Sequence, residues 1–170
     1  MGDYPRSDAR HATSSEDEAR LIKELRSLKS QRTRRQARVA KATRIAADTH
    51  SPRVRNAAAL ALADLQAASA KDVLIDLLRR PDTNASRGTL LYALDQLRAE
   101  MPVLILAEIV AEDSYEAREE ALSFIASGRV EGSDEEFAHA RSKLEAAMAW
   151  ADPERSQAIR RALSYLTTAI

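Results

Sequence analysis

Apolar residues recur at intervals of three and four positions along most of the chain, which is the spacing of one face of an α-helix. One such stripe runs through Leu90, Leu94 and Leu97, and comparable stripes occur before and after it. No segment shows the sustained alternation of apolar and polar residues that predicts a half-buried strand, and no hairpin turn signal occurs. The pattern therefore predicts an all-α protein of roughly nine helices.

The first apolar stripe is interrupted. It ends at Leu28, where arginines take the positions that should continue it, and it resumes only at Val39. This interruption predicts one helix over residues 16–29 and a second helix that ends near Asp48. One continuous helix over residues 16–49 is the alternative that the sequence leaves open.

Several later helices carry start signals. Ser51 and Asp152 each precede a proline, and this order suits a helix start because proline at the first helical position loses no hydrogen bond. Ser133 is followed three residues later by Glu136, which predicts a capping box. Pro102 is likewise expected, with the methionine before it, to open a helix.

One short pattern recurs along the middle of the chain. Its most regular position is an arginine, which occurs as Arg55, Arg87 and Arg118 at intervals of 32 and 31 residues. A less regular copy of the pattern follows after about 38 residues. The apolar or small positions that accompany it are Leu62, Leu94 and Ile125, followed by Leu65, Leu97 and Gly128. A period in this range is typical of helical solenoids, in which each unit buries its apolar face against its neighbours.

The first copy is the most regular. It reads Val54-Arg55-x-x-Ala58-Ala59-x-Ala61-Leu62-x-x-Leu65. This string resembles the first helix of HEAT-like repeats, in the short form found in bacterial proteins and phycobilisome lyases, and residues 73–78 resemble the second helix. The resemblance implies an α-solenoid of the HEAT/armadillo type, a curved superhelix of about four helix pairs plus a terminal helix, with a concave surface lined by the second helices.

The chain is of single-domain length at 170 residues. We expect one HEAT-like domain over residues 15–170, with its best-matching repeats at residues 51–81, 82–113 and 114–150. Residues 1–14 are polar and irregular, so a flexible N-terminal tail is expected there.

The resemblance also implies a structural ladder. In HEAT-like proteins an aspartate in the turn and an arginine in the first helix commonly join neighbouring repeats. In this chain the corresponding residues are Arg55, Asp82, Arg87, Asp113 and Arg118. His50 replaces the first aspartate and Ser156 the last arginine, so the implied ladder is incomplete at both ends.

The composition argues against catalysis and metal binding. The chain has no cysteine and only four glycines, which excludes thiolate sites and leaves little material for a phosphate-binding loop. His139 follows Glu135 by four residues, but no further ligand stands nearby. We therefore expect no enzyme, no catalytic residue, no metal and no cofactor. No apolar run approaches the roughly 18 residues of a membrane span, and a soluble, cytoplasmic protein without membrane contact is expected.

The net charge of zero hides a strong asymmetry. Residues 20–55 hold twelve Lys and Arg against two acids, whereas residues 100–154 hold fourteen acids against four bases. Distance along a solenoid chain becomes distance in space, so the sequence predicts a molecule with a basic end and an acidic end. Self-association through these oppositely charged ends is one expected mode of contact.

The densest group of cations forms a candidate binding segment. We call it the basic segment, and it comprises Arg32, Arg34, Arg35, Arg38, Lys41 and Arg44. Several of these residues align on one helical face, which suits the successive phosphates of RNA or DNA. No aromatic residues interleave, so no base specificity is expected. A protein partner and a merely solvated helix face are the other two interpretations.

The sequence favours a non-enzymatic protein–protein interaction module or adaptor that binds a protein partner through its concave face or its charged ends. A nucleic-acid-binding helical repeat that uses the basic segment is the alternative, and a lyase of the phycobilin type is third. Some HEAT-like proteins are DNA glycosylases that use tryptophans in a basic groove, whereas the single tryptophan, Trp150, lies in the acidic half. Trp150 is instead expected to pack between the last two repeats.

Overall fold

A computed structural model describes residues 15–32 and 34–168 of the protein. Within these ranges the α-helices are α1 (Ser15–Ser27), α2 (Arg35–Asp48), α3 (Pro52–Asp64), α4 (Lys71–Leu78), α5 (Arg87–Gln96), α6 (Val103–Glu112), α7 (Tyr115–Ala126), α8 (Asp134–Ala147) and α9 (Pro153–Thr168). Short 3-10 helices occupy Leu28–Ser30, Ala68–Ala70 and Pro81–Ser86. The prediction of an all-α protein is confirmed. The predicted tail over residues 1–14 lies outside the described residues.

Two helices, rather than one, stand at the start of the described chain. α1 ends at Ser27, a 3-10 turn follows, and α2 begins at Arg35. The break falls where arginines interrupt the apolar stripe, because a continuing helix would have turned unpaired charges into the apolar core. The stripe is buried on both sides of the break, through Leu25, Leu28, Ala42 and Ala46.

The helices pack in a regular order. The odd-numbered helices contact one another in succession from α1 to α9. Each even-numbered helix packs against the odd-numbered helix that follows it, as α2 does on α3 and α6 on α7. We call these two rows the odd layer and the even layer. Position along the chain therefore runs with position along the layers, and α1 and α9 lie at opposite ends of the odd layer.

The core is built from side chains of both layers. Its largest fully buried apolar members include Leu62, Leu74, Leu94 and Phe124. Burial of a side chain of this size contributes about 1.5–3 kcal/mol each. Alanines such as Ala58 and Ala59 are also fully buried, and their small size lets α3 approach its neighbours closely.

The predicted helix caps form. The Ser51 hydroxyl accepts a hydrogen bond from the Val54 amide at 3.3 Å, with proline at the first helical position. Ser133 and Glu136 make the predicted capping box at the start of α8. Asp152 accepts a bond of 2.8 Å from the amide three residues later and so caps α9.

One predicted helix start is displaced. Met101–Pro102 forms a short strand (β1) that pairs in parallel with Val130–Glu131 (β2), and α6 begins only at Val103. Pro102 has an extended backbone, with φ −56° and ψ 123°, which fits the strand rather than the helix. The two strands join the turn after α5 to the turn after α7.

Three odd helices end in the same way. Gln66, Arg98 and Gly128 follow α3, α5 and α7 with φ values of +51°, +51° and +69°. In each case the next amide bonds the carbonyl five residues earlier, at 3.0, 3.0 and 3.2 Å, as in a Schellman motif. The repeat pattern predicted that Gly128 is equivalent to Leu65 and Leu97, and this prediction is wrong. Gly128 corresponds to Gln66 and Arg98 because the third unit is one residue shorter before its helix end.

Candidate interaction surface

The ladder arginines form ion pairs between neighbouring units. Arg55 Nη2 lies 3.4 Å from Asp82 Oδ2. Arg87 Nη1 lies 2.6 Å from Asp113 Oδ2, and this pair is the more buried of the two. Each arginine therefore binds the turn aspartate of the following unit, 27 or 26 residues further along the chain.

The ladder continues to the last helix through a different acid. Arg118 Nη2 donates to Glu154 Oε1 at 2.9 Å, at the start of α9. The positive charge of Arg118 also contributes to the lowered pKa of Asp152, although the hydrogen bond from the Arg155 amide is the larger cause. The repeat spacing did not single out Glu154, because it lies 36 residues after Arg118 rather than 26 or 27.

Burial of Arg55 makes it part of the scaffold. Its side chain is fully buried, and it donates to the Thr49 carbonyl at 2.7 Å as well as to Asp82. Burial lowers the pKa of Arg55, while the charge of Asp82 acts in the opposite direction. Arg80 donates to both carboxylate oxygens of Asp82, at 3.0 and 2.8 Å, and is the main cause of the lowered pKa of Asp82. The Arg55 side chain is therefore not accessible to a partner.

Half of the basic segment is engaged inside the molecule. Arg35 Nη2 donates to the carbonyl of Leu65, the residue that follows α3, at 2.7 Å. Arg38 Nη1 donates to the Leu28 carbonyl at 2.7 Å, and so ties α2 to the turn after α1. Lys41 forms an ion pair with Glu24 of α1. These three cations hold the two N-terminal helices in place, which the sequence pattern did not reveal.

The other half of the basic segment is exposed. Arg32, Arg34 and Arg44 lie at the surface, and none of them has an ion-pair or hydrogen-bond partner for its side chain within the described ranges. The number of cations that are free to meet phosphates in this segment is therefore three rather than six.

Three open hollows lie side by side on the odd layer. The first lies between α1 and α3, the second spans α3, α5 and α7, and the third lies at the C-terminal ends of α3 and α5. Their volumes are about 520, 610 and 550 Å³. Leu60 lines all three, so they form one continuous surface, which we call the odd-layer groove.

Two large apolar side chains stand in the middle of this groove. Leu60 is 42% exposed and Tyr92 is 43% exposed, and both line the second and third hollows. They are 32 residues apart and so occupy equivalent positions in consecutive units. The repeat pattern of buried apolar positions does not reveal them, because both residues lie outside the buried stripe.

The two ends of the groove carry opposite charges. Lys23, Arg26 and Arg53 line the first hollow, and Glu116 and Glu120 line the second. No ion pair engages any of these five side chains in the part of the chain that the structure describes. Burial raises the pKa of Glu120, and the negative charge of Asp95 adds to the effect.

The groove lies on the first helices of the pairs. The HEAT-like resemblance implied a concave surface lined by the second helices, and that expectation stays a prediction. Small residues explain the depressions, since the groove is floored by Ala57, Ala61, Ala85 and Gly88. A separate hollow on the even layer is lined by Arg35, Val39 and Arg44, among others.

Trp150 does not pack between the last two units. It is 59% exposed, in the turn after α8. The Arg155 guanidinium lies 5.7 Å from its ring centroid. Arg155 also donates to the Asp113 carbonyl at 3.1 Å, so it is this arginine that links α9 to the turn before α7.

The histidine position that the sequence singled out remains a surface feature. His139 and Glu135 are both exposed on α8. Over residues 15–32 and 34–168, no cluster of three or more His, Cys, Asp or Glu side chains has an arrangement that would hold a metal. Among the helices of those ranges, none has both the length and the apolar character required to cross a membrane.

Comparison with protein-family models, with curated proteins and with solved structures finds no match to this chain. Membership of the HEAT-like family therefore stays a prediction.

Proposed function

We propose that the protein is a HEAT-like α-solenoid that acts as a non-enzymatic interaction module or adaptor, and that a protein partner binds in its odd-layer groove. The successive contacts of the odd helices and the ion pairs between units support the solenoid. The observation that carries the binding site is the exposure of Leu60 and Tyr92, side by side in one groove between charged ends.

The character of the groove favours a protein over a small molecule. Protein interfaces combine an apolar centre, often containing tyrosine, with a polar and charged rim. Sites for small molecules are concave and enclose most of the ligand surface. The hollows here are open and connected across α1, α3, α5 and α7, which suits an extended contact.

Site-specific photo-cross-linking in the native cell tests this proposal. A photoreactive phenylalanine analogue replaces Tyr92 in the groove, and in a matched variant it replaces Ser142, which is exposed on α8 in the even layer. We expect a discrete protein adduct from position 92 and none from position 142. Equal labelling from both positions, or no adduct from position 92, would contradict the proposal.

Nucleic-acid binding is a second candidate because Arg32, Arg34 and Arg44 are exposed and unpaired within the described residues. Three phosphate contacts predict that log affinity for duplex DNA falls with log salt at a slope of about −3, whereas six contacts would give about −5. Filter binding or anisotropy at several salt concentrations measures this slope. A flat response, or unchanged affinity after all three are replaced by glutamate, excludes nucleic acid.

A further inference from the structure

We infer that the odd-layer groove selects a charge-segregated segment of its partner, with acidic residues at one end, apolar residues in the middle and basic residues at the other end. This inference rests on the proposed function and adds the chemistry and the orientation of the bound segment. It follows from three features that lie in order along the odd layer: the cations at α1 and α3, the apolar side chains of Leu60 and Tyr92, and the glutamates of α7.

The end at α1 and α3 is cationic. Lys23 and Arg26 belong to α1, Arg53 lies in the first turn of α3, and all three are exposed. The single acid that lines this hollow, Asp64, lies 3.7 Å from Lys29. Among the residues that line this hollow, the three unpaired cations outnumber the single acid and favour carboxylates of a partner.

The end at α7 is anionic. Glu116 and Glu120 lie one helical turn apart on α7 and face the second hollow. The neighbouring Glu119 is paired with Arg161 at 3.2 Å, and Asp95 is paired with Arg129, so the cations close to this end are already engaged. A basic side chain of a partner would offset the burial of Glu120 and its repulsion by Asp95, which together raise its pKa.

The distance between the two ends sets the length of the segment. Neighbouring packed helices lie about 8–10 Å apart, so the path from α1 across α3 and α5 to α7 is about 25–30 Å. An extended chain advances about 3.3 Å per residue, which corresponds to about eight residues. Leu60 and Tyr92 stand midway along this path, where an apolar side chain would be covered from both sides.

Fluorescence anisotropy with designed peptides tests the inference on the full-length protein. The first probe is a labelled octapeptide with three glutamates, two leucines and three lysines in that order. The second has the same composition with the charges alternating. We expect the segregated peptide to bind at least about tenfold more tightly than the alternating one, because only the segregated order pairs with both ends.

Charge-reversal variants identify the surface that distinguishes the segregated peptide from the alternating one. Replacing Lys23, Arg26 and Arg53 by glutamate should weaken the segregated peptide at least about tenfold. The matched control replaces Arg32, Arg34 and Arg44 by glutamate, an equal change in charge outside the groove, and should leave affinity within about twofold at 0.15 M salt. Circular dichroism melting establishes that both variants fold.

A photoreactive group on the peptide gives the orientation. Placed at the glutamate end it should label α1 or α3, and placed at the lysine end it should label α7. Equal affinity for the two peptides, equal loss in both variants, or no binding up to about 1 mM overturns the inference. A partner cross-linked at position 92 that lacks a charge-segregated segment would also overturn it, while the proposed function would stand.

Discussion

At the scale of the residue, the same side-chain type performs two different tasks in this molecule. Arg55, Arg87 and Arg118 are buried and join consecutive units, whereas Arg35 and Arg38 bind helix-terminal carbonyls from the surface. The first task was predictable because it repeats at a fixed spacing. The second was not, because its acceptors are backbone carbonyls that any residue supplies.

The pH dependence of stability should reveal the contribution of Asp82. Its carboxyl pKa is below the ordinary value of 3.8, mainly through Arg80, so its contribution is present above that value and is lost as the pH falls through the lower folded-state pKa. We expect Asp82→Asn to be less stable than the wild type at pH 7, and the difference to shrink as the pH falls below 3.8 towards 3. Urea unfolding at both pH values measures this.

A matched substitution separates this effect from a general loss of negative charge. Asp76 of α4 forms a surface ion pair with Arg79, the residue that follows the helix. Asp76→Asn should change the urea midpoint little at either pH, because exposed pairs of this kind contribute little. If the difference in unfolding free energy between Asp82→Asn and the wild type is the same at low pH as at pH 7, the Asp82 carboxylate is not its source.

Asn56 offers a variant that alters the groove without unfolding the protein. Its Oδ1 atom is buried and has no hydrogen-bond partner among the described residues, and its side chain lines the first two hollows. Because an unsatisfied buried acceptor costs about 1–3 kcal/mol, Asn56→Leu should raise the unfolding free energy by about 1 kcal/mol. It should also reduce cross-linking from position 92 by filling the groove. Asn84→Leu, at an exposed position of the second hollow, is the control for stability, and a fall in the stability of Asn56→Leu would refute the argument.

At the scale of the element, helix starts were predictable and helix ends were less so. Serine and proline signals placed the starts of α3, α8 and α9 correctly, since each acts through its own side chain or ring. The ends of α3 and α5 use Gln66 and Arg98 in the left-handed region, where glycine is the usual residue. The strand pair β1–β2 has only two residues on each side, which is too short for any alternation to appear.

These helix ends predict a reciprocal pair of substitutions. Arg98→Gly should raise the unfolding free energy by up to about 1 kcal/mol, because glycine adopts φ near +51° without the steric cost of a Cβ atom. Gly128→Ala should lower it by about 1 kcal/mol, and this cost is purely conformational since a Cβ there meets no atom within 4 Å. Thermal and urea unfolding give both values, with Arg98→Ala as the control for loss of the side chain. Changes of the same sign in both variants would contradict the assignment.

At the scale of the whole molecule, charge and helix order act together. Bases outnumber acids in α2, whereas acids outnumber bases in each of the helices α6 to α8, and the succession of helix contacts separates the two groups along the molecule. The sequence predicted this asymmetry because charge can be counted along the chain. It could not predict the groove, whose shape depends on which small residues of α3 and α5 lie next to each other.

The charged ends predict weak self-association that depends on salt. Screening lengths are about 30 Å at 0.01 M ionic strength and about 10 Å at 0.1 M, so attraction between the ends of two copies should be seen at the first and largely lost at the second. Sedimentation velocity over a concentration series measures it. Replacing Arg32, Arg34 and Arg44 by glutamate should abolish the effect at low salt. Association that grows with added salt would instead indicate an apolar contact.

The position of α1 has a consequence for how binding can be observed. α1 packs mainly on α3 and on the turn that follows it, so it lacks the neighbours on both sides that the central helices have. Helices of this kind open locally at lower free energy than the core, and their amides exchange hydrogen sooner. Since α1 carries two cations of the groove, a ligand that spans the groove must hold α1 closed. Slower amide exchange in α1 would then report occupancy of a site whose centre lies between α3 and α5.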